Sequence, residues 1–152
     1  FLISFSVLHQ QEKKMWQHFD IVKDAMACPC GCGFGSKVED FDLMLMDYLD
    51  KLREMWKKPL RLTSSARCIA HNEVIGGESN SAHMPDQNGH CRAVDVSLIS
   101  GSYDRKQFVM DATEVGFKRI GIAKTFVHID VAADSGLPQL PDGWWTYGGS
   151  RG

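Results

Sequence analysis

Thr125-Phe126-Val127-His128-Ile129-Asp130-Val131 is the stretch on which the architecture turns. Side chains of a strand alternate between its two faces, so Phe126, His128 and Asp130 fall on one side and Val127, Ile129 and Val131 on the other. The branched apolar face predicts a strand laid against a core. The opposite face carries a histidine and an aspartate together, either bonded to each other at a sheet edge or available for chemistry.

Working outward, Arg119 to Ala123 predicts a neighbouring strand, with Lys124 near the junction. Before it, Asp104 to Val115 carries Phe108, Ala112 and Val115 at helical spacing and ends at Gly116, which suits a C-terminal cap. Arg92-Ala93-Val94-Asp95-Val96-Ser97-Leu98 predicts another strand, and Leu60-Arg61-Leu62-Thr63 alternates as a half-buried one. A short helix is expected near Ala70 to Ile75, followed by a loop over Gly76-Gly77-Glu78-Ser79-Asn80-Ser81. The clearest helical pattern runs from Val38 onward, where Phe41, Leu45, Leu49, Leu52 and Trp56 recur at three- and four-residue steps. It stops near Lys57-Lys58-Pro59, with cations at the negative end of the helix dipole and a proline that cannot continue it. Together these elements predict an α+β fold in which one long helix covers a small antiparallel sheet.

The 152 residues, 43% hydrophobic and 24% charged, suit one domain spanning the chain. A formal net charge of −2 supplies no field that would recruit nucleic acid or an anionic membrane, so no nucleic-acid partner is expected. The longest apolar stretch, Phe1 to Leu8, falls far short of the roughly 20 residues that span a bilayer, so a soluble chain is expected. No basic region precedes that stretch and no small-residue cleavage site follows it, which favours an N-terminal tail or strand over residues 1–15 rather than the remnant of a secretion signal. A monomer is expected.

Five cysteines, at 28, 30, 32, 68 and 91, make an odd number. Three of them alternate in Cys28-Pro29-Cys30-Gly31-Cys32, inside a Cys/Gly/Pro-rich loop over 28–35. Such close neighbours do not pair easily, because a disulfide needs a particular Cα separation and direction. A reducing compartment or a metal explains them better than a disulfide scaffold does. With Cys68 or Cys91, the group Cys28, Cys30 and Cys32 could form a structural zinc site; buried free thiols are the alternative.

A catalytic zinc takes three protein ligands and leaves one position for water. His128 is one candidate. His83, closing the loop Asn80-Ser81-Ala82-His83, is another, against the plainer reading of an exposed loop histidine. Asp95 stands between valines, where a carboxylate is costly to bury unless a cation or several donors meet it. Arg67 follows the end of a strand in Thr63-Ser64-Ser65-Ala66-Arg67-Cys68, and its planar fork suits a carboxylate as well as it suits a surface salt bridge. Trp144, Trp145 and Tyr147 lie in an expected C-terminal loop over 134–152; core packing is the safer reading for them, and the edge of a cleft the other.

Ser64-Ser65-Ala66-Arg67-Cys68-Ile69-Ala70-His71-Asn72, then Gly76-Gly77, Asn80-Ser81-Ala82-His83, Arg92-Ala93-Val94-Asp95-Val96 and Phe126 to Val131 together resemble the zinc D-alanyl-D-alanine carboxypeptidase family, in the family's order. Its fold is shared with the hedgehog signalling domain. The resemblance covers roughly Cys28 to Val131, and small phage-encoded and bacterial members also carry a Cys-rich stretch before the first long helix. It implies a hedgehog/DD-peptidase-like fold with a metal-site core over 60–131 and zinc on His83, Asp95 and His128. Arg67 becomes the clamp for a substrate carboxylate, with Ser64 and Ser81 as nearby polar lining. The implied reaction is metal-assisted water attack on an amide of a peptidoglycan stem peptide, by a carboxypeptidase or an endopeptidase. A phage lysis role and a bacterial wall-remodelling role both fit, acting in the periplasm or on the cell wall.

The sequence departs from the family in two places. Met84 to Cys91 inserts a loop between the first histidine and the aspartate, which makes His90 a rival ligand. Thr125 stands where many members carry an acid, and it cannot accept a proton at neutral pH. Asp130 is the remaining carboxylate on that strand face, either as general base or as the partner that orients His128. A non-catalytic zinc-stabilised binding module is the competing function. A thiol redox protein lacks the usual Cys-x-x-Cys spacing.

Overall fold

The computed structural model of the chain describes residues 16–98 and 102–148. The tail or strand expected at 1–15 and the Gly-rich end from 149 lie outside the described residues. The apolar repeat through Trp56 forms helix α1 over Leu43–Trp56, preceded by a 3₁₀ turn at Val38–Asp40. The helix begins later than the periodicity predicts because Asp42 is extended and caps it, accepting from the backbone N–H groups of Met44 and Leu45. Those amides have no partner inside the first turn. Lys57, with a left-handed φ of 62°, closes the helix.

Five strands follow: β1 (Leu62–Ser64), β2 (Ala93–Ser97), β3 (Arg119–Ile122), β4 (Phe126–Asp130) and β5 (Gly143–Thr146). They form one sheet in the order β1-β2-β4-β3-β5. The first four pair antiparallel, whereas β5 lies parallel to β3. This corrects two expectations: the sheet is mixed, and residues 143–146 of the expected C-terminal loop are a strand. Gly143-Trp144-Trp145-Thr146 hides its nature because it is largely exposed, without the alternation of a half-buried strand. Its pairing comes from the open edge of β3. β4 lies inside the sheet, between β2 and β3, which removes the sheet-edge reading of the His128–Asp130 pair.

Two helices, not one, cover the apolar face. α1 packs on α3 (Ser102–Val115), and α3 also contacts β4. Leu45, Leu49, Leu52 and Phe108 meet Val94, Val96, Ile120, Val127 and Ile129 in a single core cluster. α2 is a short helix at Ile69–Val74. No helix among the described residues is long and apolar enough to cross a membrane.

With one face buried under helices, the other face of the sheet is left for chemistry. Register places Ser64 opposite Asp95, Asp95 opposite His128, His128 opposite Gly121, and Gly121 opposite Trp145. Directly paired residues share a sheet face, so these five positions form one row across all five strands.

Candidate metal centre

Asp95 and His128 occupy the middle of that row, and His83 reaches it from the loop before the inserted segment. The Nδ1 atom of His128 is 2.9 Å from Asp95 Oδ1 and 3.2 Å from His83 Nε2, and His83 Nε2 is 3.2 Å from Asp95 Oδ1. The outer nitrogens decide which protons are present. His83 Nδ1 lies 2.7 Å from the Ser65 carbonyl, which can only accept, so this nitrogen carries the hydrogen. His128 Nε2 donates to Asp130 Oδ2 at 2.8 Å. In the neutral rings both inner nitrogens then carry lone pairs, and they face a carboxylate oxygen.

Three acceptors this close repel one another unless a positive charge lies among them. Bonds of about 2.0–2.1 Å to a tetrahedral zinc hold ligand atoms about 3.3 Å apart, close to the separations found here. Both histidines are also braced from behind by an acceptor, as metal-binding imidazoles generally are. The donor set fits zinc.

Without a cation, a proton takes its place. Burial alone would lower the His128 pKa, but its hydrogen bonds to Asp130 and Asp95 raise it to about 9. Burial works to raise the Asp95 carboxyl, and the two imidazoles reverse this and hold it well below the carboxylate range. A metal entering near neutral pH must therefore expel the His128 proton. Apparent zinc affinity is expected to fall about tenfold per pH unit as pH drops below about 9. Competition with a chromophoric chelator across that range checks this, and a flat profile would contradict it.

Asp130 is fully buried. Arg119 Nε donates to both of its oxygens, at 2.9 and 3.1 Å, and the Ala132 N–H donates to Oδ1 at 2.9 Å. Burial would raise its pKa, but His128 and Arg119 keep it lowered. Its oxygens are thus fully engaged, and it is not among the residues lining the cleft.

The triad lies in an open cleft of about 470 Å³ lined by Arg67, Glu78, Ser81, Arg119 and Trp145, among others. Arg67 donates to Asn72 Oδ1 at 3.0 Å and to Ser64 Oγ at 3.2 Å. Both of these hydrogen-bond partners are neutral. Ser81 Oγ accepts from the His83 N–H at 3.3 Å, shaping the turn that carries His83. His90 is brought elsewhere, to a group with Asp42 and Asp86, by a turn in which Asp86 accepts from the Asn88 and His90 amides. Thr125 is exposed just before β4.

Sequence reasoning missed Arg119 and Glu78, and for Trp145 it ranked core packing above the cleft edge at which the ring stands. The Arg119 guanidinium lies 5.1 Å from the centroid of the Trp145 ring and also donates to the Pro141 carbonyl. The Trp145 ring stands 5.4 Å from that of His128. The same period of two that exposed His128 puts Arg119 and Gly121 opposite Ile120 and Ile122, so Arg119 was findable. Trp145 lies in a stretch read as loop, so its strand register had no such signal. Gly121 leaves room for it, since a Cβ there would stand 2.6 Å from the indole.

No curated protein matches the chain. The family model of peptidase M15 matches residues 18–130, a span that contains the whole donor triad, Arg67 and the supports from Ser65 and Asp130. The chain belongs to the M15 peptidases, the zinc D-alanyl-D-alanine carboxypeptidase family that its motifs resemble.

Proposed function

We propose that the chain is a zinc metallopeptidase that hydrolyses peptide bonds in peptidoglycan stem peptides. The observation that carries this reading is the convergence of three lone-pair donors in an open cleft that the Arg67 guanidinium also lines. His83, Asp95 and His128 hold the metal. When bound, zinc would polarise the scissile carbonyl and make water a better nucleophile near neutral pH. Ser65, through its carbonyl, and Asp130 are positioning residues that fix the two imidazoles. The burial and saturation of Asp130 favour this role over proton transfer.

Arg67 receives the carboxylate of the substrate, steadied by Ser64 and Asn72. This favours cleavage next to a free C-terminus, hence carboxypeptidase over endopeptidase action. Wild type is expected to cleave stem peptides with a free terminal carboxylate in preference to their amidated forms. Arg67→Gln is expected to raise KM for the free acid about 10–100-fold, the worth of a hydrogen-bonded charge pair, and to leave the amidated substrate nearly unaffected. Equal wild-type activity on both forms would move the assignment to an endopeptidase.

A proton acceptor for the attacking water has to come from the cleft surface, and Glu78 takes that role in place of Thr125. Among the described residues lining the cleft, it and Asp95 are the carboxylates. Glu78→Gln is expected to keep its zinc and lose about 10²-fold in kcat. The missing acid at Thr125 also favours a second reading, a zinc-stabilised binding module of the same fold. Full zinc loading with no product from any stem peptide would select it.

A further inference from the structure

Away from the cleft, Cys28, Cys30, Cys32 and Cys68 bring their sulfurs within 4.8 Å of one another, and all are free. Cys28 and Cys30 Sγ are 3.4 Å apart, and Cys30 and Cys68 Sγ 3.6 Å. A disulfide needs about 2.0 Å. Four thiolates on one tetrahedral zinc, at about 2.3 Å each, stand about 3.8 Å from one another. The distances belong to the second case.

The backbone is shaped for this convergence. Gly31, Gly33 and Gly35 take φ values of 81°, 95° and 85°, a region that costs other residues strain. The 28–35 loop closes through the Cys28 N–H to the Phe34 carbonyl at 2.8 Å. The fourth sulfur arrives from the N-cap of α2, where the Cys68 N–H donates to Cys28 Sγ at 3.4 Å and the His71 N–H donates to Cys68 Sγ at 3.3 Å. These two amide hydrogens hold the Cys28 and Cys68 sulfurs facing the group. Packing does not explain the group, because Cys30 and Cys32 are exposed, whereas cysteines used as small hydrophobes are buried. Cys91 is such a residue: it is buried, and its Sγ donates to the Ala93 carbonyl at 3.2 Å. Cys68, not Cys91, completes the set.

We propose that Cys28, Cys30, Cys32 and Cys68 form a second, structural zinc site, independent of the cleft triad, that clamps the 28–35 loop to the start of α2. Four sulfur ligands leave no open position for water, which separates the site from catalysis. As four Zn–S bonds form, four S–H protons leave to solvent, and nothing is oxidised or reduced. The clamp acts on a segment without helix or strand of its own, tied to the rest by the Ala66 N–H to the Met26 carbonyl at 3.1 Å.

The test uses the full chain, purified reduced and without chelator. Elemental analysis and native mass spectrometry are expected to find two zinc ions per chain. A thiol-specific organomercurial is expected to release one of them to a chromophoric chelator while the other stays. Cys30→Ser combined with Cys32→Ser is expected to retain a single zinc that the mercurial does not release. In case that variant fails to fold, cobalt-exchanged wild type is expected to show intense sulfur-to-cobalt charge transfer in the near ultraviolet. No mercurial-releasable zinc, no such band, or iron in place of zinc would each overturn the assignment. Hydrolysis is read separately: an inactive chain that releases one zinc upholds this site, and an active chain that releases none overturns it alone.

Discussion

A chain carrying His128→Ala is expected to lose the cleft zinc and to release product from stem peptides only at background rate, a fall of at least about 10³-fold. The ring is one of three donors, and a metal left with two holds poorly. Its loss also strips the His83–Asp95 pair of the nitrogen that faces both of them at 3.2 and 2.9 Å. Asp130 loses its bond from His128 at 2.8 Å but keeps Arg119 and the Ala132 amide, so the sheet is expected to stay folded. Zinc content by mass spectrometry should fall by one ion, with the mercurial-releasable ion retained. Product is followed by chromatography of digested stem peptides. A variant that keeps both its zinc and its turnover would sink the ligand assignment.

Arg119→Met is expected to cost about 3 kcal/mol of stability, the low end of the penalty for stranding one partner of a buried ion pair. Asp130 is fully buried, and Arg119 Nε spans both of its oxygens. The low end applies because His128 and the Ala132 amide remain. A less constrained Asp130 steadies His128 less well, so zinc affinity is expected to drop about 10–100-fold, as for other partners of metal ligands. Arg119→Lys keeps the charge but not the planar contact with Trp145 and should fall between. Urea unfolding measures the first effect and chelator competition the second. Unchanged zinc affinity in a destabilised Arg119→Met chain would show that Arg119 serves the sheet and not the metal.

What was legible came from short periods. The alternation through Phe126 to Val131 correctly placed His128 and Asp130 on one face, and their bond follows from it. The valines around Asp95 marked that carboxylate as one needing a cation or several donors. What was not legible was register. Nothing local to Ala93-Val94-Asp95 says that Asp95 will stand opposite His128; that depends on hydrogen-bond pairing between strands far apart in the chain. The loop position of His83 became meaningful only through the family motif. The expectation of a single covering helix failed because the pattern from Asp104 to Val115 is weaker, yet Phe108 and Ala112 are completely buried there. β5 stayed hidden because an edge strand with an exposed Trp144 carries no alternating signal.

β5 is also the last strand of the sheet in chain order. Every donor of the triad and every group bracing it lies between Ser65 and Asp130, whereas Trp145 and the Pro141 carbonyl that receives Arg119 come afterwards. The residues proposed to hold the metal are therefore all encoded before the strand that walls the cleft. The proposed metal donors and the wall of the cleft are thus separable along the chain, and a cut in the connection between β4 and β5 would divide one from the other.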